Sequence, residues 1–411
     1  MDVLYSRCCG LDVHKASVSA CILIHGPGGK ERHLCRFGTM TQDIAELAQW
    51  LAAHGVTNLA MESTGVYWKP IWNLLEDQFE LTLVNAQHIK MVPGRKTDIK
   101  DCEWIAELLQ HGLLKGSFVP PEQVRELRDL NRNRAIIMQQ RAAVSNRIEK
   151  VLEDANIKLA SVASHVLGQS GLSMLRAMVD GVTEPERLAE MARAKLRNKI
   201  PELRLALSGH FEERHRFQMR ELLDQRAFLD VKVAEFDQQI MERSLPFQDK
   251  IELLMTIPGV DQITANSMIA EIGADMTQFP TAQHLASWAG ICPGNNESAG
   301  RQYGGKTRKG SRWLRRDLCQ AAWAASHTKK TYLAAQFRRV AAKRGKQRAI
   351  VAVAHSIVVA AFYILKRNEV YREAGGDYFE RANPAGLQRY LVRRLERLLG
   401  HKVVLEPANA A

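Results

Sequence analysis

Apolar and small polar residues alternate along "YSRCCGLDVHKASVSACILI" (5–24), a period-two pattern that predicts a strand, a tight polar turn and a second strand. The period then lengthens. In "MTQDIAELAQWLAAHG", Ile44, Leu47 and Leu51 recur at helical spacing, Thr41 or Gln42 opens the stripe and Gly55 closes it. "VTNLAME" predicts a third strand, the segment from Trp68 to Gln78 a second helix, and "LTLVNA" a fourth strand. This β-β-α-β-α-β order implies a mixed sheet flanked by helices, and strands so short and apolar suit a buried one.

The texture changes at Pro120-Pro121. Beyond it, Val124, Leu127, Leu130, Ile137, Val144, Ile148, Val151 and Ala155 follow a three-four repeat with charged residues between, predicting a long helix with a coiled-coil-like seam. A second long helical stretch runs from His210 to Ser244, with shorter helices between. The two long helices can pair antiparallel within a chain or across a dimer, and the pattern does not choose. From Ile251 a turn, "IPGV", precedes a new helix ending at Gly273. The chain thus reads as a mixed α/β domain (1–118), a helical linker or dimerisation region (119–250), a mostly helical C-terminal domain (251–370) and a tail (371–411). The longest apolar stretch, Ala349 to Leu365, contains His355 and Ser356 and falls short of the ~20 residues a bilayer requires, so it is read as a buried helix.

Charge adds a partner class. The net charge is +12, unevenly spread: residues 1–115 carry 11 Lys and Arg against 13 Asp and Glu, whereas residues 301–348 carry 15 against 1. A basic face with almost no balancing acid points to a polyanion. The start, "MDVLYSRCCGLDVHK", lacks the charged and apolar regions of a signal peptide. The seven cysteines show no CxxC or Cys/His ligand spacing, as expected of reduced thiols in a cytosol.

Candidate chemistry begins with acids. Asp12 follows an apolar strand, Glu62 ends one, and "KTDIKDCEWIAELL" places Asp98 and Asp101 three apart at a helix start, where residues i and i+3 share a face. Singly, Asp12 reads as a turn residue, Glu62 as a capping acid and Asp98 as an acid on a helix dipole. Gathered by one sheet they would repel one another without a cation, and divalent ions that prefer carboxylate oxygen would supply it.

"GLDVHK", "MESTGVYW" and "GRKTDIKDCEWIAELL" together resemble the RuvC-like, RNase-H-fold domain of DEDD transposases of the IS110/IS1111 family, and the later segments extend the likeness over nearly the whole chain. The resemblance implies an RNase-H/RuvC-like mixed sheet in which Asp12, Glu62, Asp98 and Asp101 hold Mg²⁺ (or Mn²⁺) at the scissile phosphate. It also implies a C-terminal transposase domain whose serine, here Ser298 in "NNESAG", attacks DNA and forms a covalent phosphoserine link. From the segment alone, a loop serine is a weak nucleophile and an ordinary turn residue. Arg301, Lys306, Arg308, Lys309, Arg312, Arg315 and Arg316 form the candidate nucleic-acid patch. Trp313 reads as a core residue, with base stacking as the alternative. "IPGVDQITA" is similar to a helix-hairpin-helix turn, but Asp261 replaces its second glycine, so the turn reads as structural.

The implied partners are donor and target DNA, a structured guide RNA from the element's noncoding end, and further copies of the chain, as a dimer or a synaptic tetramer. No membrane partner is expected, and the implied location is the cytoplasm of a prokaryote, on the nucleoid. Three other readings compete: a Holliday-junction resolvase that uses water, a non-catalytic nucleic-acid-binding protein, and an actin-like phosphotransferase, for which "DVHK" and "ESTG" make poor phosphate loops.

Overall fold

The computed structural model describes residues 2–26, 29–63, 65–85, 101–292, 296–298, 301–304, 307 and 309–405, with 296–298 and 301–304 described by backbone alone. The chain forms two compact units, Met1–Val119 and Pro120–Ala411.

The first unit is built on a five-stranded sheet: β1 (Arg7–Val13), β2 (Val18–Gly26), β3 (Gly29–Phe37), then α1 (Thr41–Ala53), β4 (Asn58–Glu62), α2 (Trp68–Leu75), β5 (Glu80–Val84) and α3 (Asp101–Gln110). The sheet order is β3-β2-β1-β4-β5, with β1, β2 and β3 antiparallel and β1, β4 and β5 parallel. Three strands therefore precede the first helix, not the two that the hydrophobic pattern predicts. The additional strand, β3, is an edge strand of sequence "GKERHLCRF" with no fully buried residue, so it lacks the apolar alternation of a half-buried strand. Its cations are used instead: Lys30 Nζ lies 2.8 Å from Glu107 Oε1 and Arg32 Nη1 2.9 Å from Glu103 Oε2, tying β3 to α3.

Both faces of the sheet are covered. Cys9, Leu11, Val13, Ile22, Leu59 and Met61 pack with Ile44, Leu47 and Leu51 of α1 and Ile71 and Leu75 of α2. On the other face, Cys8, Cys21, Leu23, Ala60 and Val84 meet Cys102, Ile105, Ala106 and Leu109 of α3. That face admits α3 closely only because residue 10 is glycine: a Cβ there would lie 2.2 Å from Cys102 O and 2.4 Å from Ala106 N.

In the second unit, α4 (Glu122–Asp154) and α5 (Glu213–Ser244) pair antiparallel within the chain, resolving the choice that the sequence left open. Cross-links fix the direction. Glu126 meets Arg243, Arg134 meets Asp237, Arg141 meets Asp230, and Asp154 meets His215. The two exposed pairs, Glu126–Arg243 and Arg141–Asp230, contribute only ~0–1 kcal/mol each. The cohesion comes from Val144, Ile148 and Val151 packed in one cluster with Met219, Leu222 and Leu229 and with the shorter helices between, including Gln169–Val179.

The C-terminal helices are α6 (Gln248–Met255), α7 (Gln262–Ile272), α8 (Ala282–Trp288), α9 (Arg312–Ser326), α10 (Tyr332–Arg344) and α11 (Lys346–Arg367), with the hairpin β6 (Asn296–Ser298) and β7 (Arg301–Gly304) between α8 and α9. Between α6 and α7 the "IPGV" turn presses on α9. Gly259 has φ +87°, and a Cβ there would lie 2.4 Å from Ala321 O. Asp261 is the N-cap of α7, its carboxylate accepting from Thr264 N at 2.9 Å, which gives the residue a structural purpose. Helix α11 is long and apolar enough to cross a membrane, yet Ala349, Val353, Ile357, Val358 and Phe362 are buried against α6, α8, α9 and α10. It is the core of this helical assembly.

Candidate active site

The sheet topology selects one place for chemistry in the first unit. The chain runs outward from β1 through β2 to β3, then crosses back to lay β4 and β5 on the other side of β1. The order therefore reverses between β1 and β4, and a crevice opens beyond the carboxyl ends of strands at such a point. The parallel register ends with Leu11 opposite Met61, so Asp12 and Glu62 follow one position later at the carboxyl ends of these strands. Adjacent strands lie ~4.8 Å apart, and Asp12 and Glu62 continue the face that presents Gly10 and Ala60. Both side chains are half-buried.

Helix α3 brings the third acid to the same end. Cys102 O stands over Gly10, Cys8 Sγ contacts Ala106 O, and Leu4 N donates to Gln110 O, so α3 runs antiparallel to β1. Its first residue, Asp101, accordingly faces the end of the sheet where Asp12 and Glu62 emerge. A charge effect reports the closeness: burial first, then the negative charge of Asp12, push the Cys102 thiol up to about 11. Asp101 itself is exposed. Asp98 lies outside the described residues.

Among the described residues, no three Asp, Glu, His or Cys side chains stand close enough to hold a metal ion together. The donor set nevertheless suits a hard divalent cation, because Asp12, Glu62 and Asp101 offer carboxylate oxygen at an accessible end of the sheet. One neighbour escaped the sequence reading. His14 Nε2 lies 3.2 Å from Asp12 Oδ2, and its only signal was its place two residues after the acid in "DVHK".

In the second unit, Ser298 is the last residue of β6 and pairs with Arg301 across the hairpin. Lys306 and Arg308 lie outside the described residues, and Arg301 is described by backbone alone. The remaining cations of the run divide by partner. Lys309 and Arg312 are exposed. Arg315 points Nη1 at Gly290 O (3.3 Å) and Thr307 Oγ1 (2.5 Å). Arg316 Nε lies 2.6 Å from Oδ1 of Asp317, a residue only 5% exposed, whose other oxygen accepts from Ser267. Trp313 is half-buried rather than a core residue, and among the described residues three guanidinium groups face its ring: Arg312 at 4.5 Å, Arg316 at 5.6 Å and Arg132 at 5.9 Å.

Comparison with known proteins bears on both units. A family model described as a transposase, of the DEDD type found in IS110 elements, matches residues 9–157. A second, described as the transposase IS116/IS110/IS902 family, matches residues 251–338. The transposase for insertion sequence element IS1111A of Coxiella burnetii is 23% identical over 302 residues, covering 71% of this chain and 72% of that protein. An uncharacterized 44.8 kDa protein of insertion element IS116 from Streptomyces clavuligerus is 26% identical over 271 residues, covering 57% and 66%. The pilin gene-inverting protein of Moraxella bovis is 21% identical over 376 residues, covering 88% and 96%. With Asp12, Glu62 and Asp101 inside the first matched span and Ser298 inside the second, the chain carries both transposase domains of the IS110/IS116/IS902 family and is a DNA-cleaving and joining enzyme.

Proposed function

We propose that this chain is the recombinase of an insertion sequence, cutting and rejoining DNA through a RuvC-like carboxylate site and a covalent phosphoserine intermediate. The observation that carries the proposal is the placement of Asp12 and Glu62 at the carboxyl ends of adjacent parallel strands, with the N-terminus of α3 delivering Asp101 to the same end. The strand order β3-β2-β1-β4-β5 supports an RNase-H-like fold.

DEDD transposases generally depend on a divalent metal. Asp12, Glu62, Asp98 and Asp101 would hold Mg²⁺ or Mn²⁺ in this chain. A divalent ion held there would supply Lewis-acid polarisation of the scissile phosphate and offset the charge that builds on it. The strand ends orient Asp12 and Glu62, α3 orients Asp101, and His14 fixes one oxygen of Asp12. Ser298 Oγ attacks phosphorus, an oxygen–phosphorus bond of the DNA backbone breaks, and the serine proton passes to the medium while the leaving oxygen takes one up. One phosphoester replaces another, so the energy of the broken link is conserved for rejoining and no nucleotide cofactor is consumed. Lys309 and Arg312, exposed beside the hairpin, grip the backbone of the substrate.

The proposal extends to a structured RNA that pairs with donor and target DNA, leaving the protein to hold shape and backbone. The excess of 15 cations over 1 acid in residues 301–348 supports a large nucleic-acid load. A homo-oligomer is supported by Phe217, Phe228 and Val231, exposed along one stripe of α5.

The test uses labelled element-end DNA, the transcribed noncoding RNA and Mg²⁺. Wild type should leave a protein–DNA adduct that survives denaturing electrophoresis. Asp12→Asn should abolish cleavage with DNA binding retained, and Ser298→Ala should abolish the adduct. Cleavage by Ser298→Ala at the wild-type rate would assign the chain to water-dependent nucleases instead.

A further inference from the structure

The hairpin β6–β7 leaves the helical body after Gly290 and rejoins it at Gly310 and Ser311, and buried groups anchor both stems. Ser311 N donates to Trp288 O at 3.3 Å. A Cβ on Gly310 would lie 2.3 Å from Gly290 N and 2.5 Å from Trp288 O, so the two stems touch backbone to backbone. One nitrogen of Arg315 spans them, bonding Gly290 O on the outgoing stem and Thr307 Oγ1 on the returning one.

Beneath this junction sits Glu271, in the last turn of α7 and 2% exposed. Its Oε1 accepts from Arg132 Nε at 2.7 Å; its Oε2 accepts from Arg132 Nη2 at 2.9 Å and from Ser311 Oγ at 3.0 Å. Ser311 Oγ also caps α9, accepting from Leu314 N at 3.3 Å. Arg128, one turn before Arg132 on α4, donates to Ala270 O at 2.9 Å and Glu271 O at 2.7 Å, closing the carboxyl end of α7. A bidentate fork from a helix 139 residues distant therefore sets the angle of one carboxylate, and that carboxylate holds the residue at which the hairpin returns.

Cohesion alone does not explain the arrangement, because a buried ion pair is often no more stabilising than apolar residues of the same volume. What the fork adds is direction. We propose that Glu271 is a positioning residue for the serine-bearing hairpin: oriented by Arg132, it fixes Ser311, and through Ser311 the point at which the chain returning from the hairpin enters α9, and hence the location of Ser298. The proposal rests on the reading of Ser298 as the nucleophile. A displacement of ~1 Å at a reacting group costs on the order of 10²-fold in rate, so a loosened clasp shows in chemistry before it shows in binding.

Three variants in the full chain test it: Glu271→Gln, which breaks the charged fork, Ser311→Ala, which removes the hydroxyl, and Ser311→Thr, which keeps it. Two measurements are made on each, the rate of adduct formation on labelled DNA and the hydrogen exchange of amides 296–298 and 301–304 in the free protein. Glu271→Gln and Ser311→Ala should slow adduct formation by roughly 10- to 100-fold, leave DNA affinity unchanged and speed exchange in the hairpin, with the α4–α5 core still protected. Ser311→Thr should restore both readouts. The clasp is overturned if the first two variants keep wild-type rate and protection, or if protection falls equally throughout the unit. Should Ser298→Ala still form the adduct, the nucleophile assignment fails, while hairpin exchange continues to report on the clasp independently.

Discussion

Replacing Gly10 by alanine should damage the carboxylate site from outside it. The new methyl would lie 2.2 Å from Cys102 O, 2.4 Å from Ala106 N and 3.0 Å from Ala106 Cα. All three are backbone atoms, so no rotamer change relieves the clash, and α3 must back away from β1 by about 1 Å to reach ordinary van der Waals distance. Overpacking of this kind costs ~1–3 kcal/mol, and rigid neighbours put Gly10→Ala at the upper end. For a unit of this size the melting temperature should fall by roughly 3–6 °C per kcal/mol, about 10 °C in all. Asp101 rides on α3 while Asp12 and Glu62 stay on the sheet, so the same movement separates the acids and, on the proposed function, should slow DNA cleavage by on the order of 10²-fold. Melting is followed by circular dichroism and cleavage by single-turnover kinetics on labelled DNA. Gly26→Ala is the control: nothing lies within 4 Å of its Cβ position, and both readouts should match wild type. Wild-type melting and cleavage by Gly10→Ala would refute the close packing of α3 on β1 and the grouping of Asp101 with the strand-end acids.

Arg312→Ala should weaken DNA binding and make it less salt-dependent, the logarithmic slope falling by about 0.9 for each phosphate no longer neutralised, since this exposed side chain can reach the backbone. Arg316→Ala should leave the salt slope unchanged and cost ~2 kcal/mol of stability by depriving buried Asp317 of its cation, less than a fully buried pair because Arg316 is partly exposed; equal salt slopes for Arg316→Ala and Arg312→Ala would contradict the division. Native alkylation should modify Cys35 and Cys292, which are half-exposed, well before Cys8 and Cys21, whose thiols burial pushes up to about 12, with peptide mass spectrometry as the readout. Burial lowers the His355 pKa below its ordinary 6.5, so the unfolded chain binds the extra proton first. The associated stability is fully present above pH 6.5 and lost as pH falls through that value toward the folded pKa; His355→Gln should flatten this part of the melting-temperature profile.

Much of the first unit was legible because its strands bury one or both faces, and burial writes itself as apolar alternation. Strand β3 was not, since an edge strand whose charges pair with Glu103 and Glu107 leaves no such trace. The long helices were legible individually but not as a pair: a three-four seam looks the same whether its partner is in the same chain or another. Asp12, Glu62 and Asp101 stood out by their positions at element ends. The basic run stood out by charge density, which cannot distinguish Arg312, facing outward, from Arg315 and Arg316, turned toward Gly290 O and Asp317. Glu271 gave no signal at all, a single acid in "MIAEIG" whose partners lie 139 and 40 residues away.

The sharpest test of convergence among the acids is to load Fe²⁺ in place of Mg²⁺, generate hydroxyl radicals with peroxide and ascorbate, and map the breaks in the polypeptide. A shared ion predicts cuts clustered beside residues 12, 62 and 101, competed away by Mg²⁺ and lost in Asp12→Asn. Cuts confined to one of these segments, or insensitive to that substitution, would contradict a common metal site.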